Sequence, residues 1–145
     1  RYDEAIEQII RTLELEPTFG SALACLERAY TLKGQTREAL ETLLKELKEE
    51  GAPFRDGDPA QTMKALYRKR LEQKLPAMKT GLSSPYSAAM TCIAAGEREL
   101  ALEFLERAYK ERDPMLVAVR TDPAFDELRE DPRFSALLKR IGFER

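Results

Sequence analysis

Two thiols, a scatter of carboxylates and a run of lysines and arginines are the chemistry-bearing side chains of this 145-residue sequence, which contains no histidine. Without an imidazole there is no Ser-His or Cys-His nucleophile and no His-ligated metal. Cys25 and Cys92 each fall in an apolar helical pattern, where a thiol packs as a small inert hydrophobe. Asp56-Gly57-Asp58 has the opening of a calcium loop, but the remaining carboxylates and closing Glu are missing, and Pro59 makes Asp58 a helix cap. Paired carboxylates such as Glu49 and Glu50 face solvent by helical periodicity, so glycosidase-type chemistry has no pocket. No Walker sequence or dinucleotide fingerprint is present. The expectation is a protein that is not an enzyme and takes no cofactor or metal, which leaves binding.

Charge narrows the kind of binding. Lys64, Arg68 and Lys69, with Arg70, Lys74 and Lys79 near them, give residues 54–81 a net charge of +4 inside a chain of net charge −2. This cluster reads in three ways: a solvated face that pairs with the acidic N-terminal stretch, a patch that receives an acidic partner, or a nucleic-acid surface. The overall charge and the lack of interleaved aromatics argue against the third. Apolar residues at 43% and charged residues at 34% describe a soluble globular or helical-repeat protein rather than a disordered one. A chain of this length fits one domain and buries roughly 68–70% of its unfolded surface. Two scattered cysteines do not make a disulfide framework and suggest a reducing, cytoplasmic setting. The longest aliphatic run, Met115 to Val119, is far too short for a membrane span, and no signal-peptide pattern opens the chain. Starting at Arg1 rather than Met, the sequence reads as an excised segment.

The elements that must position these residues are helices. Tyr2, Ala5, Ile6, Ile9, Ile10 and Leu13 repeat with helical spacing until Glu16-Pro17 ends the pattern. Shifting the sequence by 34 residues lays Ala5 on Ala39, Ile9 on Leu43 and Leu13 on Leu47. A shift of 62 lays Gly34 on Gly96, Ala39 on Ala101 and Leu43 on Leu105. Two lags that match the same positions indicate an internal repeat. Residues 52–81 break the period: Asp58-Pro59 starts a long helix with Met63, Leu66, Tyr67, Leu71, Leu75 and Met78 on one stripe, and Pro76 should kink or shorten it.

Leu23, Leu26, Tyr30, Gly34, Ala39 and Leu43 stand in the order of a tetratricopeptide repeat, and the chain resembles that family. The resemblance implies an all-α solenoid of helical hairpins: 1–17 as the second helix of a truncated repeat, 20–51 as a complete repeat, 52–81 as an irregular long helix, 82–112 as another repeat and 113–145 as a cap. Glu27, Glu46 and Gly51 depart from the usual residues at their positions. In such an array the first helix of each hairpin lines a concave face that takes a peptide or a helix. The inner positions transfer to Ser21, Ala24, Arg28 and Thr31, and to Tyr86, Met90 and Ile93. The Lys and Asn clamp that some members use for a chain-terminal carboxylate is not found there. The apolar stripe of Tyr2 to Leu15 lacks the helix that would precede it, which suggests upstream repeats or docking of a second copy.

Three Asp-Pro pairs punctuate the C-terminal part at Asp113, Asp122 and Asp131, each placed to cap a short helix, with Phe125 and Phe134 offering aromatic faces to the last hairpin. With Ser84-Pro85-Tyr86, Ala95-Gly96-Glu97 and Leu105-Glu106-Arg107-Ala108-Tyr109, this region resembles the closing repeats of bacterial multidomain regulatory proteins. The implied function is a non-catalytic scaffold that binds a protein or peptide partner or another domain of its own parent chain. A structural spacer or self-association module of a larger signalling or transcriptional regulator is the alternative. Neither nucleic acid nor membrane is an expected partner.

Overall fold

A computed structural model describes residues 1–46 and 57–142. The expected end of the complete repeat at Leu47 to Gly51, the pair Glu49 and Glu50, and Asp56 lie outside the described residues. Seven α-helices and two 3-10 turns are present among those residues, and no strand. The α-helices are α1 (Tyr2–Leu15), α2 (Gly20–Leu32), α3 (Thr36–Glu46), α4 (Pro59–Lys79), α5 (Pro85–Ala94), α6 (Arg98–Lys110) and α7 (Pro132–Ile141), with the 3-10 turns Pro114–Ala118 and Pro123–Leu128 between α6 and α7. The chain divides into two compact units, residues 1–63 and 64–145.

In the first unit α2 and α3 form a hairpin, and α1 packs on α2. Ile6 is buried with Leu26 and Ala29, while Ile9, Leu13 and Tyr30 close over them. The α1 stripe is therefore covered along its centre by the helix that follows it. Tyr2, Ile10 and Leu15 remain exposed. Ala39 and Leu43 are fully buried, as a small and a large residue at a helix contact should be. Lys33 of the α2 end also forms an ion pair with Asp3 of α1.

In the second unit α5 and α6 repeat the hairpin. Ala101 and Leu105 are again fully buried, 62 positions after Ala39 and Leu43. The helix ends match bond for bond. Gly34 N–H donates to Thr31 O and Gln35 N–H to Tyr30 O; Gly96 N–H donates to Ile93 O and Glu97 N–H to Cys92 O. This is the Schellman arrangement, which satisfies the last carbonyls of a helix and requires a left-handed residue after it. Gly34 and Gly96 supply that residue at φ of 75° and 79°.

The long helix α4 starts at Pro59, as Asp58-Pro59 predicts, with Asp58 Oδ1 accepting from Ala60 N–H at 3.1 Å. Pro76 does not stop it; α4 runs on to Lys79. Leu71 and Met78 belong to the core of the second unit, with Tyr67 and Leu75 packed against it. Arg107 of α6 donates to the carbonyls of Met78 and Lys79 at the end of α4, where Met78 O also accepts from Gly81 N–H.

All three Asp-Pro caps form. Asp113 Oδ1 accepts from Met115 N–H, Asp122 Oδ1 from Ala124 N–H and Asp131 Oδ1 from Arg133 N–H, at 2.9 to 3.0 Å. Phe125 stacks on Phe134 with ring centroids 6.4 Å apart, and both rings are fully buried.

The end of α6 repeats the Schellman bonds, with Asp113 N–H donating to Ala108 O and Arg112 N–H to Tyr109 O. Here the left-handed position holds Arg112, at φ of 54°, instead of a glycine. A side chain in that conformation costs about 1–2 kcal/mol, and glycine in its place gives back about 0.5–1 kcal/mol of that in chain entropy. Arg112→Gly should therefore raise the midpoint of thermal unfolding by about 1–4 °C, as followed by far-UV circular dichroism. An unchanged or lowered midpoint would show that the Arg112 side chain stabilises the turn.

Candidate functional site

The residues expected on a binding face divide between the two units and meet different fates. On α2, Ser21 and Thr31 are exposed, and Ala24 and Arg28 are half-buried. They share one side of the helix by spacing. Thr31 Oγ1 donates to the Glu27 carbonyl at 3.0 Å and to its carboxylate at 2.9 Å. Glu27, which departs from the small residue usual at its position, is thus a buried carboxylate held from one turn away.

On α5 the expectation fails for two residues of three. Tyr86 is 2% and Ile93 is 7% exposed, so neither lines an open groove, and Met90 is half-buried against the same core. The reason is the chain that follows α6. Tyr86 N–H donates to Asp113 Oδ2 at 3.1 Å, the Tyr86 hydroxyl donates to Asp122 Oδ2 at 2.8 Å, and the Tyr86 ring meets Phe125 edge-on at 5.4 Å. The C-terminal segment itself occupies the face on which a ligand was expected.

Each capping aspartate therefore has a second use. Asp113 Oδ2 also accepts from Ser84 Oγ at 2.5 Å, joining the start of α5 to the end of α6. Burial acts to raise the Asp113 carboxyl, but the bonds from Ser84, Tyr86 and Met115 outweigh it and hold the group below its ordinary 3.8. Asp131 binds the Arg133 side chain, which reaches Glu99 of α6 through two bonds of 2.7 and 2.8 Å. Hydrogen bonds from Arg133 lower both carboxyls. Between α6 and α7 lies a shallow groove of about 230 Å³, lined by Glu99, Leu102, Glu103, Glu106, Arg133 and Leu137.

From Lys64 onward the basic residues of α4 belong to the second unit. Lys64, Arg68 and Lys69 are exposed. Arg68 Nε lies 3.8 Å from Glu97 Oε1, at the turn between α5 and α6. The Lys64 stem lies over Gly96 so closely that a Cβ there would displace it. A pair this exposed contributes little to stability.

The two thiols also differ. Cys25 is exposed on α2, contrary to the expectation of burial, because the inward side of that helix is filled by Leu23, Leu26 and Ala29. Cys92 is fully buried; burial first, then the carboxylates of Glu97 and Glu103, pushes its pKa up to about 12, which keeps it a thiol. Among the described residues no group of three or more Cys, Asp or Glu side chains could hold a metal ion. No helix among them is long and apolar enough to cross a membrane.

Compared with known proteins, the chain matches no protein-family model, no curated protein and no solved structure.

The lowered Asp113 and Asp131 carboxyls make the cap sensitive to acid. A carboxyl whose folded pKa is depressed stabilises the fold above its ordinary pKa, and that contribution is lost as pH falls through the ordinary value toward the lower folded one. The thermal midpoint, followed by tyrosine circular dichroism, should therefore hold between pH 7 and about pH 5 and decline below the ordinary value of 3.8. Asp113→Asn, which cannot titrate, should show a smaller decline; an identical decline would mean that Asp113 is not linked to folding.

Proposed function

We propose that the chain is a non-catalytic protein-interaction module of the tetratricopeptide type, a solenoid segment that binds a peptide or protein segment, or another domain of its parent protein, in the cytoplasm of a bacterium. The observation that carries this reading is the repeat itself. α2 and α5 end on the same Schellman bonds 62 residues apart, and each is followed by a helix with a buried Ala and Leu at matched positions. Repeats of this kind stack to present one helix of each pair as a continuous surface. The α2 side formed by Ser21, Ala24, Arg28 and Thr31 is the surface best suited to a partner, with Arg28 as the charged element that selects for acidic or carbonyl-rich groups.

A second reading, a structural spacer or self-association module, is favoured by α5. Its corresponding side is already filled by Asp122 and Phe125 of the same chain.

The two readings separate in a binding experiment. Partners captured by the intact chain are identified by mass spectrometry, purified, and titrated against wild type and Arg28→Glu. The interaction reading expects affinity to fall at least tenfold with unchanged folding. Undiminished affinity removes the α2 face from function. A chain that binds only copies of itself, by light scattering, supports the spacer.

A further inference from the structure

We propose that one edge of the second unit, where residues 79–84 meet residues 110–117, is a docking surface for an acidic, apolar segment of a partner protein. This surface is separate from the α2 face discussed above. Leu82, Met115 and Val117 are 83%, 53% and 73% exposed, and among the described residues of this unit they are all of the large hydrophobics that stand exposed. All three lie on two segments that Asp113 ties together, since its carboxylate binds Ser84 Oγ and Tyr86 N–H on one side and Met115 N–H on the other. Chain geometry then keeps Leu82 and Met115 within roughly 20 Å of each other.

Packing does not account for them. In the turn Pro114–Ala118 it is Leu116 that points into the core, followed by Val119, at 6% and 0% exposure. Met115 and Val117 occupy outward positions that polar residues would fill equally well. Clustered exposed apolar side chains on an otherwise polar surface mark interaction sites.

Charge selects the occupant. Lys79, Lys110 and Arg112 stand exposed on the same two segments. Beside them Glu111 pairs with Arg107 at 2.6 Å, and Asp113 accepts from Ser84, Tyr86 and Met115, so the cations of these segments outnumber the carboxylates. The two segments therefore present exposed apolar side chains together with an excess of exposed cations. Such a surface complements a segment that carries leucine-like side chains and carboxylates. Arg112 adds an independent observation. It holds the left-handed position that glycine fills at the ends of α2, α4 and α5, so its side chain is kept at a conformational cost. Such strain concentrates where a side chain has work outside the fold.

The test is a titration of the isotope-labelled intact chain with a soluble peptide of Glu and Leu, followed by amide chemical shifts. A peptide with Lys in place of Glu and vesicles of phosphatidylglycerol serve as the other arms. Saturable shifts confined to residues 79–84 and 110–117 are expected. Affinity should fall at least tenfold in Leu82→Ser plus Val117→Ser and several-fold in Arg112→Gly. Arg28→Glu should bind as wild type, which separates this surface from the α2 face. Since every substituted residue is exposed, the variants should fold; should the double variant melt early, Arg112→Gly alone decides. The proposal is overturned if no saturable binding occurs, if the Lys peptide binds equally well, if Arg112→Gly binds as tightly as wild type, or if the vesicles are bound and the Glu peptide is not.

Discussion

The buried hydrogen bond from the Tyr86 hydroxyl to Asp122 is the interaction on which the second unit depends. A carboxylate that is only 7% exposed costs several kcal/mol unless donors surround it. Ala124 N–H satisfies one oxygen and Tyr86 the other. The first bond makes a turn, and the second fastens that turn to a helix 36 residues earlier. Phe125 is brought against the Tyr86 ring by the same placement, and Phe134 stacks on Phe125. A polar anchor thus sets the register of an aromatic column, and burial of that column supplies most of the energy. Asp113 repeats the device at the start of α5, and Asp131 extends it through Arg133 to α6.

This arrangement explains why the two hairpins differ although their helix ends match. At positions 62 residues apart, α2 carries Ala24 and Thr31 where α5 carries Tyr86 and Ile93. Of the larger pair, Tyr86 is what the C-terminal segment packs on, and Ile93 is buried in the same core. The smaller pair remains partly or fully exposed on α2. One architecture therefore provides a face that the chain closes for itself and another that it leaves accessible, which is why the binding and spacer readings each find support in a different half.

Much of the helical layout was legible because it is local. The three Asp-Pro caps, the start of α4 at Asp58-Pro59 and the glycine ends of α2 and α5 follow from backbone chemistry within a few residues. The candidate site was less legible, because which side of α5 stays open depends on a contact spanning 36 residues. Tyr86 fits either a groove anchor or a core residue by type. The spacing of Asp113 and Asp122 could have hinted at a second bonding partner, yet nothing local to Tyr86 could reveal it. Cys25 misled for the opposite reason: its apolar neighbours on α2 occupy the other side of the helix. At the end of α6 only the following Asp113-Pro114 marks the boundary, since Arg112 stands where glycine is expected.

The claim that the cap is anchored by a charge-assisted bond, and not by aromatic packing alone, is tested most directly by a double-mutant cycle on Tyr86→Phe and Asp122→Ala in urea unfolding. Loss of the helix cap at Asp122 enters both legs of the cycle and cancels, which leaves the coupling between hydroxyl and carboxylate. A hydrogen bond to a buried charge predicts a coupling of about 1.5–3 kcal/mol. Effects that add to within about 0.5 kcal/mol would contradict the account and assign the anchoring to Phe125 and Phe134 alone.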